Sequence, residues 1–134
     1  MAPAPAVQAY CYLPRLNRGR KVDFLIDTGA AGTCLHGGYA LGLQSYMQEN
    51  TIGTICGIGG SRPYFQERAI LVFTDDKAHP VPCRTALGVQ KILPEDIAKD
   101  PDILRMPCVL GRDVLNRWEF RYDVPHGEIL LIVP

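Results

Sequence analysis

What this chain lacks limits its possible roles before any motif is considered. It has no net charge: 14 Lys and Arg balance 14 Asp and Glu over 134 residues. That removes the long-range field that draws proteins to nucleic acid or anionic lipid, so no nucleic-acid partner is expected. The same neutrality limits repulsion between copies and makes self-association easier. No uninterrupted apolar run exceeds five residues, as in Ile129 to Val133, against the ~20 that a spanning helix needs, so no membrane span is expected. The five cysteines, Cys11, Cys34, Cys56, Cys83 and Cys108, are widely spaced with no C-x-x-C pair. Neither a disulfide framework nor a zinc knuckle fits that pattern. A reducing, cytoplasmic setting is expected, or a soluble domain excised from a larger protein. Met1-Ala2-Pro3-Ala4-Pro5-Ala6 lacks the basic start and apolar centre of a signal peptide, and residues 1–7 read as a mobile leader.

Length adds a further limit. A chain of 134 residues buries roughly two-thirds of its unfolded surface, enough for one core without staples and too little for two full domains. Residues 1–134 therefore read as one domain, and a site that needs two halves must take the second from another chain.

The patterning that is present is mostly β. Gln8 to Leu13 and Lys21 to Ile26 are rich in β-branched, aromatic and aliphatic residues, and the turn-prone Pro14 to Arg20 between them predicts a hairpin. Val22, Phe24 and Ile26 alternate with Asp23, Leu25 and Asp27, which delivers Asp27 at the strand's end, opposite the most apolar face. Thr51 to Cys56 and Tyr64 to Thr74 flank Gly57-Ile58-Gly59-Gly60-Ser61, whose glycines permit a tight reversal. Pro80 and Pro82 suit Ala78 to Val89 to an edge strand. Pro94 to Asp102 reads as a polar loop with at most one helical turn, Pro107 to Leu110 as a strand, and Gly111 to Trp118 as one short helix. Phe120 to Asp123 and Glu128 to Val133 complete a hairpin around Pro125-His126-Gly127. The sum is an all-β domain with one terminal helix, a small closed or sandwiched barrel.

Asp27-Thr28-Gly29 carries the chemistry. Alone the triplet is weak, because average composition yields such an Asp-(Ser/Thr)-Gly in about one chain of this size in twenty. An Asp in a strand-ending turn also commonly accepts backbone N–H bonds with no further role. Two other segments change its weight: the glycine-rich hairpin Cys56-Gly57-Ile58-Gly59-Gly60, and Val109-Leu110-Gly111-Arg112-Asp113, an apolar strand running through Gly-Arg into a helix. Taken in this order, the three segments resemble the retropepsin family, the retroviral-type aspartic proteases, over roughly residues 8 to 133.

The resemblance implies an all-β, retropepsin-like acid-protease half-barrel with one short C-terminal helix, completed as a homodimer. It implies an aspartic endopeptidase in which Asp27, Thr28 and Gly29 of each subunit form half of the catalytic site, with no metal and no cofactor. Two carboxylates ~3 Å apart at an effective dielectric of ~20 repel by about 5 kcal/mol, so the pair holds one proton and serves as acid and base at once. By resemblance Thr28 bonds across the dimer axis and Gly29 lets the substrate backbone pass close. Gly57, Ile58 and Gly59 form a flap tip that closes over substrate. Leu25, Ala30, Cys34, Ile55, Ile58 and Val109 match subsite positions, which implies a polypeptide substrate with apolar residues at the scissile bond. Gly111, Arg112 and Asp113 match the segment that supports the active-site loop from beneath. One departure stands out: viral members often carry acids just after the Asp-Thr-Gly-Ala turn, where this chain has Ala31 and Gly32. Arg112 therefore loses that acid as a partner, and acids that would hold the substrate backbone are absent. That departure keeps a second reading open, a dimeric peptide-binding or assembly module of the same fold that cleaves little or nothing.

Other residues are read plainly. Cys34-Leu35-His36 falls far short of a four-ligand zinc set. Cys56 is expected to be an inert thiol, Arg15, Arg18, Arg20 and Lys21 a solvated basic loop, and His79 and His126 turn residues.

Overall fold

A closed β-barrel places the Asp27 turn at one end of a strand. In the computed structural model, which describes residues 5–48, 52–57, 60–123 and 128–132, nine strands and three short α-helices are present. The strands are β1 (Ala6–Leu13), β2 (Arg18–Ile26), β3 (Cys34–Leu35), β4 (Ile52–Gly57), β5 (Gly60–Thr74), β6 (Pro80–Gln90), β7 (Cys108–Leu110), β8 (Glu119–Asp123) and β9 (Glu128–Ile132). The helices are α1 (Gly37–Leu43), α2 (Pro94–Lys99) and α3 (Arg112–Leu115). Strand order runs β1-β2-β7-β3-β6-β5, and β1 also pairs with β5 from Tyr10↔Val72 to Tyr12↔Ile70, which closes a six-stranded ring. β4 extends β5 outward, and β8 and β9 form a separate two-stranded ribbon.

Period-two patterning explains why this sheet curls around one core. Ala9, Cys11 and Leu13 on β1, Val22 and Phe24 on β2, Ala69, Leu71 and Phe73 on β5, and Leu87 and Val89 on β6 all turn inward and are buried. Their odd or even neighbours, such as Gln8, Asp23 and Arg68, stay exposed. α3 adds Val114 and Leu115 to the same core, and Trp118 meets Phe73 edge-on with ring centres 4.7 Å apart.

The predicted hairpins form. β1 pairs with β2 from Ala6↔Leu25 to Leu13↔Arg18, β4 with β5 up to Gly57↔Gly60, and β8 with β9 from Glu119↔Ile132 to Asp123↔Glu128. Several expectations need correction. Among the described residues there are three α-helices rather than one, the longest of seven residues. Within Pro94 to Asp102, residues Pro94–Lys99 form α2 rather than at most one helical turn of a loop, because Pro94 occupies the first turn and the Asp96 carboxylate accepts the Leu93 N–H at 2.9 Å; Asp100 is extended, and Pro101–Arg105 form a separate 3-10 segment. β6 lies between β3 and β5 rather than at an edge, but Pro80 and Pro82 fall where only β5 pairs with it. Pro5 to Val7 are not a mobile leader: Ala6 and Val7 begin β1, and the Pro5 carbonyl accepts the Ile26 N–H at 2.9 Å. The Pro125-His126-Gly127 turn lies outside the described residues. Among the described residues no helix is long and apolar enough to cross a membrane.

Candidate active site

Asp27 leaves β2 at the point where β2 lies parallel to β7. Leu25 faces Val109 and Ile26 faces Leu110, and the Asp27 N–H extends this ladder by donating to the Leu110 carbonyl at 3.1 Å. The chain then turns sharply. The Asp27 carboxylate accepts the Gly29 N–H at 2.9 Å, and the Asp27 carbonyl accepts the Ala30 N–H at 3.2 Å. Such an Asp-centred turn holds the carboxylate against its own loop. Asp27 is half-buried, whereas Thr28 and Gly29 are exposed. A Cβ on Gly29 would lie 3.2 Å from the Asp27 carboxylate oxygen, so the bare backbone is what keeps this approach open.

The segment after β7 braces the turn from beneath. The Arg112 N–H donates to the Ala30 carbonyl at 2.9 Å and the Asp113 N–H to the Ala31 carbonyl at 3.2 Å. Gly111 packs so closely on the loop that an added Cβ would stand 2.5 Å from the Gly32 carbonyl oxygen. Below it, the fully buried Thr33 hydroxyl donates to Asp113 Oδ1 at 2.7 Å and accepts the Gly111 N–H at 3.1 Å. The second Asp113 oxygen accepts the Thr85 hydroxyl at 2.9 Å, and Oδ1 also caps the Val114 N–H at 2.9 Å. Both Asp113 oxygens thus stabilise the loop, one through β6 and one through α3.

Without that acid, Arg112 bonds to the turn's backbone: its Nη1 donates to the Thr28 carbonyl at 3.1 Å. A backbone acceptor replaces the side-chain acid that Ala31 and Gly32 do not provide. Gly111, Arg112 and Asp113 therefore all touch the Asp27 loop. Thr33 and Thr85 complete the same network and carried no motif; the sole hint at Thr33 was a polar residue leading into the apolar pair Cys34-Leu35.

The expected subsite residues separate into two groups. Leu25, Ala30 and Val109 are half-buried around the turn. Cys34 pairs with Val109 but is only 2% exposed, with its thiol 3.6 Å from the Gly32 carbonyl. It is a core residue of this chain rather than a lining one. Burial, with smaller effects from Asp113 and Cys108, pushes its pKa up to about 12, so the thiol stays neutral. Ile55 and Gly57 lie on β4, with Gly57 opposite Gly60. Ile58 and Gly59 lie outside the described residues.

The remaining motif residues take structural roles. The buried His36 ring bridges the Pro107 carbonyl, 2.7 Å from Nδ1, and the Tyr64 hydroxyl, 2.8 Å from Nε2. Arg15 is exposed but anchored: it pairs with Glu67 at 2.6 Å and donates to the Tyr46 carbonyl at 2.8 Å. His79 is a turn residue: its N–H donates to the Asp75 carboxylate at 2.8 Å, and its ring lies 3.5 Å from the same carboxylate. Among the described residues no group of three or more His, Cys, Asp or Glu is arranged to hold a metal ion. No protein-family model matches the chain, and no curated protein matches it.

Proposed function

We propose that this chain is one half of a cytoplasmic aspartic endopeptidase of the retropepsin type, active as a homodimer in which each subunit contributes Asp27. The observation that carries the proposal is the placement of Asp27. It stands on a partly exposed turn at a strand end, its carboxylate oriented by the Gly29 N–H, on a loop clamped by Gly111, Arg112 and Asp113 from more than 80 residues away. A carboxylate held this firmly near the surface suits a role in which a second carboxylate must meet it within ~3 Å.

In the dyad the two Asp27 groups share one proton, as paired carboxylates in aspartic proteases do. The ionised member takes a proton from a water molecule, which attacks the scissile carbonyl carbon. The protonated member donates to the carbonyl oxygen, giving a tetrahedral diol. Its collapse breaks the C–N bond and returns a proton to the leaving amine. Thr28 would bond across the two-fold axis, Gly29 would admit the substrate backbone, and Ile58 would close over it. Leu25, Ala30 and Val109 favour apolar side chains beside the scissile bond. A reason for dimerisation lies in the β8–β9 ribbon, which pairs with no other strand among the described residues. Isolated two-stranded ribbons are marginally stable, and a second copy would add strands to its edges.

The test is cleavage of a mixed peptide library between pH 4 and 7 by wild type and Asp27→Asn in parallel, read by mass spectrometry. Cuts between apolar residues that vanish in the variant are expected. Cuts that persist in Asp27→Asn overturn the mechanism. Silence from both proteins, with dimer present in solution, favours the peptide-binding module, whose supporting feature is the absence of acids at Ala31 and Gly32.

A further inference from the structure

The β1–β2 ribbon carries an anomaly at its outer end. On β1 the inward positions are Ala9, Cys11 and Leu13, all buried, and their cross-strand partners on β2 are Val22, Arg20 and Arg18. Val22 is buried like its partner. The two arginines occupy the same inward face yet are exposed. Charged residues on the core side of a ribbon require an open space and something polar to meet.

That space is present. Cys11, Leu13, Val22, Leu35 and Leu43 floor a hollow of about 330 Å³, with α1 along one side. This volume falls in the lower range of small-ligand sites. At the mouth, the Arg20 guanidinium lies 4.6 Å from the centre of the Tyr39 ring. Arg18 lies 4.1 Å from that of Tyr46 and donates to its hydroxyl at 2.8 Å. Cation–π contact with these rings restrains both guanidinium groups and leaves N–H donors for an acceptor. Among the described residues neither arginine forms an ion pair with a carboxylate of this chain.

We infer that this hollow binds a single-chain amphiphile with a carboxylate head, its apolar tail on the Leu13, Val22, Leu35 and Leu43 floor and its head between Arg18 and Arg20. An apolar floor alone would accept any hydrophobic molecule. The paired guanidinium groups select an anion and fix which end of the molecule faces outward. Asp27 follows Arg20 by seven residues, about 23 Å along an extended strand. The hollow is therefore separate from the candidate active site and stands whether or not the chain cleaves peptides.

The experiment uses isotope-labelled protein titrated with decanoate below its micellar concentration, followed by amide chemical shifts. Saturable shifts at Gly19, Gly42 and Leu43 are expected, with decanol binding more weakly. Arg18→Gln and Arg20→Gln should each weaken decanoate binding roughly tenfold, the loss of one charged hydrogen-bond donor. Both side chains are exposed, and an unchanged thermal midpoint verifies that the variants fold. Absence of saturable shifts at those amides overturns the inference. So does equal affinity in the Arg18→Gln/Arg20→Gln double variant, or a response only to anionic phospholipid vesicles, which would indicate a surface contact instead.

Discussion

The Thr33 hydroxyl and the Asp113 carboxylate, 80 residues apart in sequence, meet at 2.7 Å directly below the Asp27 loop. The same hydroxyl accepts the Gly111 N–H, so one buried oxygen ties β3, β7 and the start of α3 together. Thr33→Val keeps the shape and removes that oxygen, leaving a buried N–H without an acceptor. It should cost about 2 kcal/mol of stability in denaturant titration. Asp113→Asn retains an acceptor for Thr33 and should cost less than about 1 kcal/mol, whereas Asp113→Leu, which orphans both threonine hydroxyls, should cost about 3 kcal/mol. Equal losses for Asn and Leu would contradict this division of roles.

Gly111 and Gly32 provide a contrast within one contact. A Cβ at Gly111 meets the Gly32 carbonyl at 2.5 Å, while a Cβ at Gly32 meets nothing within 4 Å. Gly111→Ala should therefore destabilise the fold by about 1–3 kcal/mol and displace the Asp27 loop. Gly32→Ala should stay within about 0.5 kcal/mol of wild type. Melting of both variants, together with the amide shift of Gly29, measures the two effects.

Stability and turnover should separate at Asp27. An asparagine there still offers an oxygen to the Gly29 N–H, so Asp27→Asn should shift unfolding by no more than about 0.5 kcal/mol. Peptide cleavage under the proposed mechanism should fall to background in the same protein. A large stability loss would mean that Asp27 is chiefly a structural turn residue.

Alkaline pH should weaken the fold. Burial raises the pKa of Cys11 and Cys34 to about 12 and that of Cys108 to about 11, from 9.0. Folded thiols keep protons that unfolded ones release, so the stabilisation is complete below pH 9, declines as pH rises above 9 and is lost once pH passes 11 to 12. Each thiol contributes a slope of up to about 1.4 kcal/mol per pH unit within that window. Denaturant midpoints at pH 8 and 10 should differ accordingly, and Cys11→Ala should flatten the decline.

The strands were legible because their signal is local. Val22, Phe24 and Ile26 alternate with polar or less buried neighbours, and the glycines at 57 and 60 mark the end of the β4–β5 ribbon. α1 was not legible: Gly37, Gly38 and Gly42 make a poor helix by propensity. The segment is helical in spite of this because Ala40, Tyr39 and Leu43 pack on the core. α2 carried its signals, Pro94 first, Glu95 and Asp96 next and Lys99 last, but its scarcity of apolar residues masked them. At the site, Asp27 and Gly111 to Asp113 could be recognised from spacing within a motif. Thr33 and Thr85 could not, because a hydroxyl's importance here comes from a partner 80 or 28 positions away. Burial of Cys34 was equally invisible, since its pairing with both β6 and β7 is a property of the closed ring.

The parallel pairing of β2 with β7 joins Phe24 to Cys108, and this sets a schedule for the molecule's biosynthesis. Asp27 emerges from the ribosome early, but every backbone bond that braces its loop from below waits for residues 110 to 113. Until then the carboxylate rides on an unsupported hairpin end, and a chain interrupted before Gly111 never gains the clamp. The order of the Asp27 loop is thus a late product of folding, set by residues that the chain adds more than 80 positions after the turn itself.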